Sequence, residues 1–508
     1  MHPFAYYALA GLVFVFVTRK VQTHLAGRRF AAAHGCLPAR RDKYLTDYFG
    51  IGLLKQVTAA KKRKATLAFN RDRFEANNWT FWTRLLTNEL ILTADPENLK
   101  AILATKFNDF DIGPMRLDSF RPLLGLGMFT ADGPVWEHSR AMVRPNFSRT
   151  QIADLGMFEK HVRHLLTRVP KDGSTFDIQD LFFRFTMDAA TEFLLGESVN
   201  SLDPNCSKST EGFADAFAYA QSRLWLRLRI GGLGRMLPDK GLRKACDDCH
   251  RTIDEFVERA VDRRQTLDVE KSLTNEGESG RYVFLNELAK QTTDKVELRD
   301  QILNILMAGR DTTAALMSST FFILARNEPV LARLRAEVLS LGDTPLTFEV
   351  LKNMKYLRYV LNEGKLFASP ILRLHPVLPV NGRQANKDTF LPVGGGPDGK
   401  SPIFCPAGQY VGFNSYTLHR RKDLWGEDAN EFRPERWEKH RPGWEYIPFN
   451  AGPRICLGQQ YALIEASYTI TRLLQEYGTI KTNDTSPWTE GLELTCRVGQ
   501  GVHISLTK

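Results

Sequence analysis

One cysteine near the C-terminus constrains this chain more than any other feature, because it lies between a glycine-rich turn and a predicted amphipathic helix. The segment reads Phe449-Asn-Ala-Gly-Pro-Arg-Ile-Cys456-Leu-Gly458, and apolar spacing predicts the helix from Gln459 to about Glu476. The glycines let backbone amides hydrogen-bond the sulfur, and the positive end of the helix favours the thiolate. The pattern predicts an axial metal ligand. The alternative is a cysteine buried in a loop, the usual state of a free thiol.

The rest of the chain reads as one large, mostly helical domain behind an N-terminal anchor. No linker rich in Ser, Gly or Pro and no internal repeat divides the sequence after the first sixty residues. We assign residues 1–20 to a membrane anchor, 21–60 to a basic juxtamembrane linker and 61–508 to the main domain. Seven scattered cysteines, an odd number, argue against a disulfide framework and for a reducing compartment.

The anchor is predicted from an apolar run, Phe4 to Val17, that Thr18-Arg19-Lys20 closes. The run is short for a spanning helix, which needs about 20 residues. A signal peptide is the alternative, but a basic first segment and a small-residue cleavage site are missing. Positive charge after the run favours a single pass with the main domain in the cytosol.

Positive charge is concentrated near the N-terminus, and the chain carries a net charge of +10. The clustered residues are Arg19, Lys20, Arg28, Arg29, Arg40, Arg41, Lys43, Lys61, Lys62, Arg63 and Lys64. Such clusters are read either as nucleic-acid binding or as contact with a membrane surface. Their place directly after the apolar run favours the membrane, and we expect no nucleic-acid partner.

Two further predicted helices carry polar residues at informative spacing. Trp136 and Arg140 are four residues apart in a helix predicted from Ala131 to Arg149, so they share one face. A helix predicted from Leu298 to Asn327 contains Ala308-Gly-Arg-Asp311-Thr312-Thr313 at its centre. Gly309 and the Thr312 hydroxyl are expected to disturb the backbone ladder there. The alternatives are an exposed amphipathic helix for the first pair and local bonding of a threonine to a carbonyl for the second.

Together these segments resemble the cytochrome P450 family. The resemblance implies haem b bound through the thiolate of Cys456, within the loop that Phe449 and Gly458 delimit. It also implies that Trp136, Arg140 and Arg454 hold the haem propionates. Asp311 and Thr312 are implied to manage protons for bound oxygen. Arg383 either reaches a propionate or lies on the surface.

One family motif is interrupted. A Glu-x-x-Arg pair normally joins the Arg of a later Pro-Glu-Arg segment, here Arg436, but Glu363 and Arg373 are ten residues apart. In one helix that is about 15 Å instead of about 4.5 Å. Residues 365–371 are either a genuine insertion that loops out or translated intron sequence. A genuine insertion would leave the scaffold of Glu363, Arg373 and Arg436 in question and could yield an inactive haem-binding protein.

A second haem motif is present in an unsuitable place. Cys246-Asp-Asp-Cys249-His250 matches the attachment signal of covalent c-type haem. The segment falls inside an amphipathic helix predicted from about Lys240 to Gln265, so two ordinary helix cysteines are the competing interpretation.

The amino-acid sequences of several segments resemble a narrower group, the fungal alkane- and fatty-acid-hydroxylating P450s (family 52). The segments are Phe129 to Pro145, the loop Gly394-Gly-Gly-Pro-Asp-Gly399 and Phe449 to Gln460. This resemblance implies a mainly α P450 fold with a small β-sheet region. It further implies hydroxylation of fatty acids or n-alkanes with O2, electrons from NADPH through a membrane reductase, and residence in the endoplasmic reticulum. Another lipophilic substrate is the alternative.

Overall fold

The computed structural model describes residues 3–86, 88–148, 155–203, 208–230, 238–271, 282–361 and 370–508. Helices account for most of the described chain. In chain order they are α1 (Pro3–Ala33), α2 (Ile51–Lys62), α3 (Thr66–Ala76), α4 (Pro96–Lys100), α5 (Pro114–Leu124), α6 (Gly133–Val143), α7 (Gly156–Arg168), α8 (Ile178–Leu195), α9 (Lys208–Ile230), α10 (Lys240–Lys271), α11 (Phe284–Ala289), α12 (Lys295–Leu324), α13 (Glu328–Leu339), α14 (Phe348–Asn353), α15 (Lys355–Leu361), α16 (Pro370–Leu374), α17 (Ser415–Leu418), α18 (Lys422–Trp425) and α19 (Gln459–Glu476).

The strands form small sheets around this helical body. They are β1 (Thr80–Leu85), β2 (Asn88–Thr93), β3 (Phe110–Asp111), β4 (Phe176–Asp177), β5 (Val380–Ala385), β6 (Thr389–Gly395), β7 (Ser401–Cys405), β8 (Tyr410–Asn414), β9 (Thr479–Lys481), β10 (Glu490–Leu492), β11 (Cys496–Val498) and β12 (His503–Thr507). The largest sheet has the order β1-β2-β8-β5-β3, with β2 and β8 parallel and the other pairs antiparallel. The β6–β7 hairpin and the β10–β11 and β4-β12-β9 sheets stand apart from it.

The centre of the molecule is the long helix α12, which packs against α8 and α19. Helix α8 starts where the Asp177 side chain accepts a hydrogen bond from the Gln179 N–H, and it ends at Gly196 with a left-handed backbone. Phe182 on α8 and Phe321 on α12 are fully buried, with ring centroids 5.2 Å apart. Burial of each such side chain contributes about 1.5–3 kcal/mol, so this packing fixes the helix against which the site is built.

Local sequence signals locate most elements correctly. Segments with alternating apolar and polar residues form β1 and β2, and the Asp95 side chain caps α4 through the Glu97 N–H. The helix predicted from Ala131 to Arg149 is shorter: α6 ends at Val143 and a 3-10 turn follows over Arg144–Phe147. Pro145 cannot donate to the helix ladder, which explains the early end.

The N-terminal helix is longer than the sequence predicts. The predicted boundary at residue 20 falls inside α1, which continues to Ala33. At its end Phe30 and His34 contact the β6–β7 hairpin, with ring centroids 5.6 Å from Phe404 and 5.0 Å from Phe390 respectively. Within the part of the chain that the structure describes, no helix combines the length and apolarity needed to cross a bilayer.

Candidate cofactor and active site

The loop before α19 is folded tightly around its own backbone. The Cys456 N–H donates to the Phe449 carbonyl at 3.0 Å, and the Ile455 N–H donates to the Gly452 carbonyl at 3.0 Å. Gly452 has a φ of +68°, and a Cβ at this position would lie 1.7 Å from the Leu103 carbonyl oxygen. Only glycine fits that position, which seats the loop on the turn Ala101–Thr105.

Cys456 differs from the other described cysteines. It is exposed, whereas Cys246, Cys249, Cys405 and Cys496 are buried. The residue borders open space, but the protein atoms around its thiol desolvate it and raise its pKa to about 11, while a backbone hydrogen bond from Gly458 and the charge of Arg140 act in the opposite direction. Cys456 thus borders open space and has two groups near its sulfur that favour the anion. A coordinating metal would supply the remaining stabilisation of the thiolate.

Trp136 lies between two guanidinium groups. Its ring centroid is 4.3 Å from the Arg454 Cζ and 5.8 Å from the Arg140 Cζ, and the indole is almost fully buried. Arg140 also donates to the Ile455 carbonyl at 3.1 Å. The spacing of Trp136 and Arg140 on α6 thus brings both side chains to the cysteine loop.

Arg454 is held by the segment directly before α6. It forms an ion pair of 2.6 Å with Asp132 and donates to the Ala131 carbonyl at 3.0 Å. Asp132 also accepts hydrogen bonds from the backbone of Ile112 and Gly113. Burial lowers the pKa of Arg454 to about 10, although Asp132 opposes that change.

Arg383 is buried on β5, so the surface interpretation is wrong. Its side chain donates to the Gly382 carbonyl at 2.8 Å, and the residue is only 2% exposed. Burial, then the charges of Arg116 and Arg454, lower the pKa of Arg383 to about 9. The alternation of apolar and polar residues along β5 does not predict this burial, because the guanidinium lies near Arg116 and Arg454 rather than in an apolar core.

Arg116 is a site residue that the sequence patterns did not indicate. Its guanidinium and that of Arg383 both donate to the Asn381 side-chain oxygen at 3.3 Å. Arg116 lies on α5, more than 250 residues before its partners. No local motif marks it, and only the tertiary fold brings it to the cluster.

The cluster has a charge that suits haem. Its four guanidiniums are Arg116, Arg140, Arg383 and Arg454, and the carboxylates among them are Asp111 and Asp132. They leave a net charge of plus two beside the exposed Cys456. Haem b carries two propionates at its edge, so the residues present match that group in charge and in the kind of donor it needs.

The centre of α12 faces open space. The stretch Ala308–Thr312 is half-buried between buried Met307 and Thr313, and a Cβ on Gly309 would meet no atom within 4 Å. The helix is continuous through this stretch, so the expected disturbance of its ladder is not found. The Thr312 hydroxyl instead donates to the Ala308 carbonyl at 2.7 Å, the local bond that was the alternative. One hydroxyl can satisfy that carbonyl without breaking the ladder.

Asp311 lies in surroundings that raise the pKa of its carboxyl. Burial raises its pKa, and the charge of Arg310, 3.5 Å away, opposes this shift. One of its carboxylate oxygens is buried and makes no hydrogen bond in the described part of the protein. Asp311 and Thr312 therefore lie side by side in the half-buried stretch of α12.

The scaffold residues are brought together only in part. Arg373 donates to the carbonyls of His419 and Ala429, while Arg436 donates to the Trp425 carbonyl and pairs with Asp428 at 2.7 Å. Both arginines thus hold the segment from His419 to Ala429. Glu363, their predicted partner, lies outside the described residues, as does most of the stretch 365–371; its last two residues, Pro370 and Ile371, begin α16.

The c-type haem motif is part of the core. Cys246 and Cys249 are 3% and 0% exposed on α10, and burial raises the pKa of each thiol to about 12. His250 is bonded to the Leu123 carbonyl at 2.8 Å. These residues pack α10 and do not form a site.

The mainly helical fold, with a reachable thiol beside a cationic cluster, defines the class of haem-thiolate proteins. The family profile described as Cytochrome P450 matches residues 49–496. The chain is 47% identical to Cytochrome P450 52A3-B of Candida maltosa over 82% of this chain and 81% of that protein. It is 42% identical to Cytochrome P450 52A13 of Debaryomyces hansenii over 98% and 96%.

Two further comparisons agree. The Cytochrome P450 monooxygenase FPY7 of Fusarium mangiferae is 41% identical over 96% of this chain and 93% of that protein. The crystal structure of the cytochrome P450DA heme domain has a TM-score of 0.74 at 21% identity, covering 93% of this chain and 97% of that chain, which shows the shared fold. The chain belongs to the cytochrome P450 family. It is a monooxygenase, an oxidoreductase whose family uses haem with a thiolate ligand, O2 and a redox partner.

Proposed function

We propose that this monooxygenase hydroxylates fatty acids or n-alkanes, most simply at the terminal carbon, with electrons from NADPH through a membrane reductase. One support is the similarity to family 52 P450s, which extends over 98% of this chain for one relative and 82% for another. The other is the resemblance of the segments around Phe129, Gly394 and Phe449 to that family. A second candidate substrate is another lipophilic metabolite, because the Fusarium relative at 41% identity is nearly as similar as the Debaryomyces hansenii protein at 42%.

In this proposal the residues of the site divide the work. Cys456 would ligate the haem iron through its thiolate, and Gly458 and Arg140 would stabilise its negative charge. Trp136, Arg140, Arg383, Arg454 and Arg116 hold the propionates. Bound haem supplies oxygen activation and transfer of one oxygen atom to the substrate. Asp311 holds a proton next to the Thr312 hydroxyl, and the two deliver protons along the open stretch of α12.

We further propose that α1 attaches the domain to the endoplasmic reticulum membrane, with the catalytic domain in the cytosol. Leu12, Phe14 and Phe16 are 69%, 71% and 62% exposed, so the protein itself does not cover them. Basic Arg19 and Lys20 follow directly. Apolar side chains followed by positive charge are typical of a membrane-attached segment. Co-sedimentation with microsomes that resists carbonate extraction tests this proposal, and release by carbonate would contradict it.

The exposed Cys456 beside the cationic cluster carries the proposal. Wild-type protein, reduced and treated with carbon monoxide, should show the red-shifted band of a thiolate ligand, and Cys456→Ser should lose it while keeping its far-ultraviolet circular dichroism. Reconstitution with NADPH and a reductase should then give hydroxylated products from lauric acid, longer fatty acids or n-alkanes. Products only from an aromatic panel would reject the proposed substrate. A normal band without any turnover would instead support an inactive haem-binding protein.

A further inference from the structure

The loop of residues 125–131, which joins α5 to α6, is fastened to α12 by two buried side chains. The first is Asp300, 5% exposed, whose carboxylate accepts a hydrogen bond from the Leu126 N–H at 2.9 Å. Gly125 has a φ of +56°, and a Cβ there would lie 1.8 Å from an Asp300 carboxylate oxygen. The loop therefore needs a glycine where it meets this carboxylate.

The second side chain is Asn304, which lies one turn further along α12 and is completely buried. Its amide donates to the Leu124 carbonyl at 2.9 Å and accepts from the Phe129 N–H at 3.1 Å. A Cβ on Gly127 would lie 2.5 Å from the amide nitrogen. Asn304 therefore binds the backbone on both sides of Gly127 and packs directly against it.

The same loop holds Arg454 of the cysteine loop. The Arg454 guanidinium donates to the Met128 carbonyl at 3.4 Å and to the Ala131 carbonyl at 3.0 Å. It also pairs with Asp132, the residue that follows the loop, at 2.6 Å. The groups that orient Arg454 thus belong to the segment that the two α12 side chains fasten.

We propose that Asp300 and Asn304 are positioning residues: by holding the 125–131 loop, they set the orientation in which Arg454 binds a haem propionate. The inference rests on the proposed function, in which Arg454 contacts that carboxylate. Neither α12 side chain needs to touch the haem, because the loop carbonyls transmit their effect. Helix α12 is thereby connected to the cysteine loop by hydrogen bonds alone.

The charges of the groups suit this arrangement. Burial raises the pKa of Asp300, and the hydrogen bond from the Leu126 N–H is the strongest influence in the opposite direction. The bond therefore stabilises the ionised carboxylate that fastens the loop. At the other end, a guanidinium already held by fixed acceptors loses little side-chain entropy when it binds a carboxylate, so holding Arg454 in place strengthens its contact with haem.

The first experiment measures the coupling between α12 and Arg454. Rates of haem transfer to an acceptor protein are compared for wild type, Asn304→Ala, Arg454→Gln and the double variant, and the same set is made with Asp300→Ala. We expect N304A and D300A to release haem about tenfold faster, the effect of losing a hydrogen bond to a charged group. Each double variant should lose haem no faster than R454Q alone. Losses that multiply in the double variants would overturn the proposal.

Thr320→Val is the control for a buried change in α12. Thr320 is completely buried, and its hydroxyl donates within the helix to the Leu316 carbonyl at 2.8 Å. T320V should release haem at the wild-type rate, and faster release equal to that of N304A would contradict a specific role of the loop contacts.

The second experiment reads the propionate directly. The propionate bending band in the resonance Raman spectrum should shift in D300A and N304A and stay in place in T320V. Asp300→Asn keeps an oxygen that accepts from the Leu126 N–H, so it should restore the wild-type band. A purely structural role would lower stability without moving this band, and an unmoved band in both alanine variants would overturn the proposal. If N304A does not fold, Asn304→Asp, which loses only the donor to the Leu124 carbonyl, gives the same two readings.

The outcomes separate this inference from the proposed function. If R454Q moves neither the band nor the rate, Arg454 does not hold a propionate and the inference fails with that contact. If R454Q moves both while D300A and N304A move neither, the positioning role is wrong and the proposed function stands. If the coupling is found but the wild type oxidises no fatty acid or alkane, the proposed substrate fails and the positioning role stands.

Discussion

The guanidinium of Arg140 donates a hydrogen bond to the carbonyl of Ile455, the residue directly before Cys456. This bond joins α6 to the cysteine loop by a charged donor and places a positive charge near the sulfur. Arg140 thus acts on the loop backbone as well as on the proposed propionate site, and its loss has two separable effects.

Arg140→Ala should release haem faster and raise the pKa of Cys456. A hydrogen bond from a charged group contributes about 1.5–3 kcal/mol, and we expect haem retention to weaken by that amount. The measurement is the rate of haem transfer to an acceptor protein. Glu137→Ala, an exposed charged residue on the same helix, is the matched control and should behave as wild type. Equal rates in all three proteins would contradict the role of Arg140.

Arg116→Gln should change the free energy of unfolding of the haem-free and haem-loaded proteins in opposite directions. Without haem, Arg116 repels Arg383 and Arg454, so its removal should stabilise the fold. With haem, one charge-assisted contact is lost, and retention should fall by about 1.5 kcal/mol. Chemical denaturation of both forms checks the two signs. Arg121→Gln, at an exposed position of the same helix, should change the stability of neither form. If R116Q loses stability in both forms, the charge argument is wrong.

Stability should fall with acid in a way that depends on Glu159. Burial raises the pKa of this carboxylate, but hydrogen bonds from Arg472, Tyr468 and Arg163 outweigh burial and lower it from 4.5 to about 2. Because the folded pKa is the lower one, the stabilisation is present above about pH 4.5 and is lost as pH falls toward 2. Glu159→Gln should cost about 1 kcal/mol at pH 7, allowing for solvent screening, and nothing near pH 2.

Denaturation curves at several pH values measure this difference. Asp180→Asn is the control, because the Asp180–Arg184 pair is exposed on both sides and contributes little. A pH-independent difference between wild type and E159Q would show that the carboxylate is not the group responsible.

Deleting residues 365–371 should strengthen the scaffold. The deletion places Glu363 three residues before Arg373, and Arg373 is buried with no carboxylate within 4 Å among the described residues. Loss of one partner of a buried ion pair costs about 3–5 kcal/mol, so a gained Glu363 partner should make the shortened protein unfold at higher denaturant and hold more haem per chain. Glu363→Gln should destabilise the shortened protein and change the full chain little. A shortened protein with less haem would favour a genuine insertion.

Sequence patterns locate the parts of this site that depend on short spacing. Local spacing predicts the helix from Gln459 to Glu476 that follows Cys456. It also predicts that Trp136 and Arg140, four residues apart, share one face of α6. Helix α8 is likewise bounded by local signals, the side chain of Asp177 at its start and Gly196 at its end.

The remaining parts depend on contacts between distant segments. Arg116 joins the cluster through Asn381, 265 positions later in the chain, and no pattern around either residue announces the contact. The burial of Arg383 depends on the same partners. The continuous ladder at Gly309 follows from packing on both flanks of α12, where Met307 and Thr313 are buried, and this outweighs the local tendency of glycine to loosen a helix. The pairing of Glu363 remains a prediction.

The contact of Phe30 and His34 with the β6–β7 hairpin sets where the chain can be shortened for laboratory work. A truncation that removes the apolar start of α1 but keeps residues from about 25 onward preserves these aromatic contacts. One that begins after His34 uncovers Phe390 and Phe404 and invites aggregation at that hairpin. The useful cloning boundary therefore lies within a helix rather than at the edge of the globular body.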